Sequence, residues 1–251
     1  MSSFPKSKRE YLKRLVAEKN IWSHKLSRNE EELGFRGWHE RGFLPHCDFP
    51  NLIQLLTIRL SDSLPISRKR EWEHLLKLED DRERRMKLEE YLDKGFGKCW
   101  LRRPAIARLC EEALLHFHRK RFELLAWCVM PNHIHVLVDV WNTPLWKMIK
   151  SWKQFVSTQA QSIVVECQAP VRHEVARSAE MPGRRPALQS IRWQREYWDT
   201  FMRNGEQSRK ATRYIENNPV RAGLCRKPED WQYSSARFRD TYGQLQLGQA
   251  V

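Results

Sequence analysis

The most ordered apolar pattern in the chain runs from Leu124 to Val140, two strand-like stretches broken at Met130-Pro131-Asn132. Turn formers at the break, flanked by aromatic and β-branched residues, predict a β-hairpin. In its second arm His133, Ile134 and His135 alternate. Both imidazoles therefore leave one face while Ile134 enters the core on the other.

Other apolar blocks surround it. Asn51 to Leu60 reads as a strand ended by Asp62 to Pro65. Ser67 to Asp93 is highly charged, with Ser67 as N-cap and a thin stripe at Trp72, Leu75, Leu76, Met86, Leu88 and Leu92, which predicts a helix or helical pair. Gly95-Phe96-Gly97 breaks it. From Pro104 to Lys120, residues Ile106, Leu109, Cys110, Ala113, Leu114 and Phe117 recur at helical spacing and should cover one face of a sheet. After the hairpin, Thr143 caps and Pro144 opens a second such helix, with Leu145, Met148, Ile149, Trp152 and Val156 inward and Lys147, Lys150 and Lys153 largely outward. Ile191 to Asp199 reads as a short strand and bend, and a helix from about Gly205 to Asn217 should be stopped by Pro219.

These elements pack most simply as an α+β fold: a ferredoxin-like split β-α-β with one mostly antiparallel sheet, helices on one face, a helical N-terminal arm and a C-terminal helix. Four segments follow along the 251 residues: a basic arm at 1–45, a core at 46–162 with a charged helical insertion at about 67–93, a flexible insertion at 163–190 where periodicity is lost, and a basic C-terminal segment at 191–251.

Composition sharpens the picture. The formal net charge is +14. Between Arg184 and Arg239 there are 13 basic and 6 acidic side chains, half of that excess in under a quarter of the chain. Such a field favours a polyanionic partner, and the 11 tryptophans include candidates for stacking on unpaired bases. Six scattered cysteines without a Cys-x-x-Cys pair fit a reducing cytoplasm. No run approaches the roughly 20 apolar residues of a membrane span, and no secretory leader is legible at the start.

A lone His-x-His is weak, since strand-end histidines are more often solvated or bonded to backbone. Downstream, Tyr214 and Asn218 stand four apart and share a helix face, with a phenol and an amide oxygen to offer; an ordinary helix terminus has the same look. Taken together, Met130-Pro131-Asn132-His133-Ile134-His135-Val136-Leu137 resembles the His-hydrophobic-His (HUH) motif of single-tyrosine transposases. Tyr214-Ile215 with Asn218-Pro219-Val220 and Ala222-Gly223-Leu224 is similar to the tyrosine helix of their branch associated with repetitive extragenic palindromes (REP). Phe35 to His39, Arg59 to Pro65, Gly97 to Leu101 and Trp193 to Tyr197 extend the likeness over about residues 35–160 and 190–238.

That resemblance implies an enzyme that cuts and rejoins single-stranded DNA beside imperfect hairpins through a 5′-phosphotyrosine. Tyr214 would be the nucleophile, and His133, His135 and Asn218 would hold Mg2+ or Mn2+. Two imidazoles and an amide are slightly soft for Mg2+, so Mn2+ or Zn2+ competes. DNA contacts are expected from Lys150, Lys153, Arg192, Trp193, Arg195, Arg203, Arg209, Arg213 and Arg221, with Trp198 a further stacking candidate. The expected setting is the bacterial cytoplasm, at the nucleoid and away from membranes; monomer and dimer stay equally open. Two other readings compete: a non-catalytic regulator that binds hairpin DNA, and a hydrolase using the histidines with water.

Overall fold

The structure, a computed structural model, describes residues 21, 24–40, 45–78, 80–166 and 190–247. Helix α1 (Arg28–Leu33) begins with a capping box between Ser27 and Glu30 and ends at Gly34, whose left-handed φ of 92° suits glycine. Strands β1 (Gly37–Glu40) and β2 (Pro45–Asp48) form an antiparallel ribbon. The segment expected to be a helical arm thus contains a two-stranded ribbon, and the expectation for 1–20 lies outside the described residues.

The central sheet contains β3 (Leu52–Arg59), β4 (Phe122–Val129), β5 (His133–Val140) and β6 (Trp198–Phe201) in the order β4-β5-β3-β6. Every pairing is antiparallel. With α4 (Pro104–Leu115) between β3 and β4, and α5 (Leu145–Gln159) between β5 and β6, the chain traces a β-α-β-β-α-β path. The fold is α+β with the expected split β-α-β arrangement.

One face of the sheet is covered by α4 and α5. Ile134, Val136, Val138 and Val140 point there and meet Ile106, Cys110, Leu145, Ile149, Trp152 and Val156. Each large side chain buried in this way contributes about 1.5–3 kcal/mol before the entropy of ordering is subtracted. The opposite face carries α7 (Gly205–Arg221), whose Ala211 and Ile215 pack with Ile53, Ala126 and Leu137. Helices therefore cover both faces rather than one. The reason lies in β5, whose histidine face also carries Leu137 and needs an apolar cover.

The charged segment is a helical pair, α2 (Lys69–Leu76) and α3 (Asp81–Asp93), joined to a further small core by Leu75, Leu88 and Leu92. Ser67 is not its cap, because it lies inside a 3-10 turn at Ile66–Arg68; Asp80 caps α3 instead, accepting from Glu83. Met86 is exposed, so the stripe is narrower than its sequence suggests. Helix α4 stops at Leu115, five residues short of Lys120, since Arg119 turns left-handed at φ 60° and its N–H donates to Phe122 at the start of β4. Thr143 is no cap either. The first N–H of α5, on Leu145, donates 3.0 Å to Asp48, 97 residues away, and Pro144 occupies the cap position. Residues 163–166 belong to α6 (Gln161–Glu166), and 167–189 of the expected insertion fall outside the described residues.

Candidate functional site

Helix α7 runs through Pro219 to Arg221 rather than stopping before the proline. In the last turn a proline costs one N–H, and burial of Asn218 and Pro219 fixes that turn by packing. Asn218 is thereby fully helical, one turn beyond Tyr214 and on the same face. Asn204 caps the other end, accepting from Gln207 at 2.9 Å.

That face lies against the histidines of β5. His133 and His135 are buried, and their Nε2 atoms approach to 3.0 Å. Asn218 Nδ2 is 3.1 Å from His135 Nε2 and 3.2 Å from the Tyr214 hydroxyl oxygen. The Tyr214 hydroxyl donates to Glu89 of α3. The four side chains expected to act together form a continuous run of such contacts, His133 to His135 to Asn218 to Tyr214.

Behind them stand residues the sequence did not single out. Thr57, paired across the sheet with His135, places Oγ1 3.0 Å from His135 Nδ1. Asn132 Oδ1 lies 2.7 Å from His133 Nδ1, and its amide donates to the carbonyls of Leu92 (3.2 Å) and Phe96 (3.0 Å). Those two acceptors settle which end of the Asn132 amide is nitrogen. Its oxygen must then accept from His133 Nδ1–H, so His133 Nε2 carries a lone pair.

Burial holds both imidazoles neutral. It drives His133 well below the ordinary histidine value, with His135 adding to the effect, and lowers His135 to about 3, with Arg221 adding to it. Burial also raises the Tyr214 phenol, helped by the charge of Glu89, and raises Glu89 itself against the hydrogen bond from Tyr214. The Arg221 guanidinium stands 5.2 Å from the Tyr214 ring. Cys128 is fully buried on the neighbouring strand, as expected of a core cysteine.

The donor set fits a divalent cation. Two ligands about 2.1 Å from an ion at a right angle sit about 3.0 Å apart, the spacing of the two Nε2 atoms. Asn218 Oδ1 is buried without a hydrogen-bond partner, and a half-turn of the amide exchanges it with Nδ2 beside His135 and Tyr214. No group of three or more His, Cys, Asp or Glu side chains is tight enough to cage an ion alone among the described residues. Here the third close donor is an amide.

The basic candidates divide between two places. Lys150, Lys153, Trp193 and Arg195 line a groove of about 400 Å³ along α5, with exposed Arg192 adjacent in the chain. Lys153 donates to the carbonyls of Gln194 and Arg195. Arg209, Arg213 and Arg221 are exposed along α7, and Arg203 precedes it with its guanidinium 5.7 Å from the Phe201 ring. Trp198 is 7% exposed beneath Arg59 and offers little stacking surface. A cleft of about 740 Å³ between α3, β6 and α7 is lined by Arg85, Glu89, Arg203, Lys210 and Tyr214, among others. Among the described residues no helix is long and apolar enough to cross a membrane.

Fold and site together define an antiparallel α+β domain whose sheet presents paired imidazoles to a tyrosine-bearing helix. No protein-family model matches the chain. Its sequence is 28% identical over 115 residues to a putative REP-associated tyrosine transposase of Haemophilus influenzae, covering 45% of this chain and 58% of that protein. It is 27% identical over 137 residues to a REP-associated tyrosine transposase of Escherichia coli K12, covering 51% of this chain and 63% of that one. The chain is thus similar to two proteins named as REP-associated tyrosine transposases, one of them putative. The match spans less than two thirds of the length of either relative. A solved structure described as the REP-associated tyrosine transposase bound to a REP hairpin superposes with a TM-score of 0.45 and 14% identity, covering 85% of this chain and 99% of that chain.

Proposed function

We propose that the chain is a divalent-metal-dependent enzyme that cleaves and rejoins single-stranded DNA at hairpin repeats, with Tyr214 as nucleophile and His133, His135 and Asn218 as metal ligands. The observation carrying this reading is the meeting of Tyr214 and Asn218 with the two buried, neutral imidazoles. Mg2+ and Mn2+ are the ions proposed. When bound, such an ion offsets the charge that grows on a non-bridging phosphate oxygen in the transition state.

The residues of the chain do the rest. Tyr214 attacks phosphorus, forming the phenolic ester as the P–O3′ bond breaks, which leaves a 5′-phosphotyrosine and a 3′-oxyanion that takes a proton from solvent to become the 3′-hydroxyl. The phenol proton passes to Glu89, which already accepts its hydrogen bond. The ester conserves the bond energy, so a second 3′-end reverses the step without ATP. Arginines on α7 and the groove along α5 are the proposed phosphate contacts, each individually modest. DNA processing of this kind takes place in the bacterial cytoplasm, at the nucleoid.

The test is incubation of the protein and Mn2+ or Mg2+ with a panel of labelled single-stranded hairpin oligonucleotides, followed by denaturing electrophoresis. A covalent protein-DNA band that disappears in Tyr214→Phe is expected. Cleavage without that band points to a water-using hydrolase, and hairpin binding without cleavage across the panel points to a binding regulator.

A further inference from the structure

The cleft of about 740 Å³ between α3, β6 and α7 counts Tyr214 among its lining residues. That volume falls within the range of about 300–1,000 Å³ that holds small organic ligands. Its walls are of two kinds. Trp38 and Phe201 present half-buried rings, and Met86 is 50% exposed while its helix neighbours Leu88 and Leu92 are buried. Arg85, Arg203 and Lys210 bring positive charge, although Lys210 also meets the exposed Glu206 at 2.7 Å. The two carboxylates on the lining have other partners: Glu89 accepts from the Tyr214 hydroxyl, and Asp199 pairs with His46 and accepts from the backbone N–H of Cys47. Aromatic surface beside guanidinium groups suits a nucleotide, the rings meeting its base and the cations its phosphate.

We infer that this cleft seats one unpaired nucleotide of the single strand next to the phosphate that Tyr214 attacks, with its base on Phe201, Trp38 and Met86 and its phosphate against Arg85. The inference rests on the strand-transfer reading above and names a substrate subsite for it. Tyr214 is on the lining, so whatever fills the cleft lies against the proposed nucleophile. Arg85 stands four residues before Glu89 on the same face of α3 and acts electrostatically on both Glu89 and Tyr214. A phosphate held by Arg85 is therefore held beside the hydroxyl. Arg203 stands 5.7 Å from the Phe201 ring centroid, so the ring already serves as an electron-rich face, the kind of surface on which a base stacks. The other basic groove lies along α5, on the sheet face away from α7, and Tyr214 is not on its lining. Duplex DNA has no base free to enter the cleft, and stacking is tolerant of base identity. The subsite thus selects an unpaired base over a paired one rather than one base over another.

The experiment uses the full chain in EDTA, so that neither metal nor cleavage enters the measurement. Fluorescence anisotropy compares an oligothymidylate of about twelve nucleotides with an abasic strand of the same length, which carries the same phosphates and no bases. The wild type is expected to bind the oligothymidylate about ten-fold tighter. Phe201→Leu keeps an apolar side chain but removes the aromatic face, and it should lose about five-fold or more of the oligothymidylate affinity while leaving the abasic strand unchanged. Met86→Glu places a negative charge at an exposed position, where folding is not at stake, and should weaken both strands. Thermal melts check that Phe201→Leu is folded. Irradiation of an oligothymidylate carrying one 5-iododeoxyuridine, followed by peptide mapping, should attach it to Trp38, Met86 or Phe201. Attachment confined to Trp146 and Trp193 of the α5 groove, with wild-type affinities in both variants, overturns the cleft as the subsite. Equal wild-type affinity for the two strands overturns it too. So does a dimer in sedimentation that Met86→Glu dissociates, which assigns the cleft to a second copy of the chain. A covalent band in the cleavage assay alongside any of these leaves Tyr214 the nucleophile and removes only the subsite. Base-dependent binding mapped to the cleft without a covalent band keeps the single-strand subsite and removes strand transfer.

Discussion

Asn132 and His133, neighbours in sequence, are joined side chain to side chain at 2.7 Å where the hairpin turns into β5. The same amide holds the C-terminal end of α3 through the carbonyls of Leu92 and Phe96. One residue therefore sets the tautomer of a proposed ligand and docks the helix carrying Glu89. Asn132→Ala strands the buried His133 Nδ1–H and takes one donor each from the carbonyls of Leu92 and Phe96. It should cost about 2–4 kcal/mol in urea unfolding and weaken Mn2+ binding about 10–100-fold. Asn132→Asp retains the acceptor but loses both donors, so it should be nearly as unstable.

Glu89 meets Tyr214 from a helix more than a hundred residues earlier in the chain. With the phenol raised by burial and by that carboxylate, free phenolate is scarce at neutral pH, and the proposed direct transfer to Glu89 would avoid forming it. Glu89→Gln still accepts the hydrogen bond but takes no proton. Cleavage should slow about 10²–10⁴-fold while hairpin affinity, read by gel shift, stays the same. An unaltered single-turnover rate would show that the proton leaves by another route.

How much of this the sequence disclosed depends on the range of the interaction. The alternation of His133, Ile134 and His135 and the stripe from Leu145 to Val156 are local periodicities, and both stand in the structure as expected. Helix α7 runs past Pro219 against the sequence expectation because the local preference against helix before proline yields to the burial of Asn218. Glu89 is one charge among many on α3 in the sequence. Its place beside Tyr214 appears only when Asn132 ties that helix to the hairpin, a contact no periodicity encodes. Thr57 was equally hidden, since strand register across β3 and β5 decides that it faces His135.

The start of α5 offers a clean comparison of local and remote capping. Asp48 accepts from Leu145 at 3.0 Å and from the N–H of Arg36 at 3.1 Å, tying the β-ribbon to the helix. Asp48→Ala strands both donors and should cost about 2–4 kcal/mol. Thr143→Ala, which a sequence reading marks as the cap, should change stability by less than about 0.5 kcal/mol. Paired urea titrations with equal m-values decide it, and similar losses in the two variants would contradict the remote cap.

His46 supplies a pH test well separated in the chain from the proposed ligands. It is buried between Asp199, 2.5 Å from Nδ1, and Glu196, 3.0 Å from Nε2, and its ring stacks 4.4 Å from Tyr197. Burial disfavours the imidazolium, yet the hydrogen bonds and charges of the two carboxylates outweigh it and raise His46 above 6.5. A raised folded value means that the native state binds the proton more tightly than the unfolded chain. The stability His46 contributes is therefore complete below pH 6.5 and lost as the pH climbs through the raised value. His46→Gln removes the cation and leaves two buried carboxylates facing each other, a loss of about 3–5 kcal/mol near pH 6. Between pH 6 and pH 9 the wild type should fall towards the variant in thermal melts, closing much of the gap. A difference in Tm that stays constant over that range would mean that His46 is neutral in the folded protein and acts only by shape.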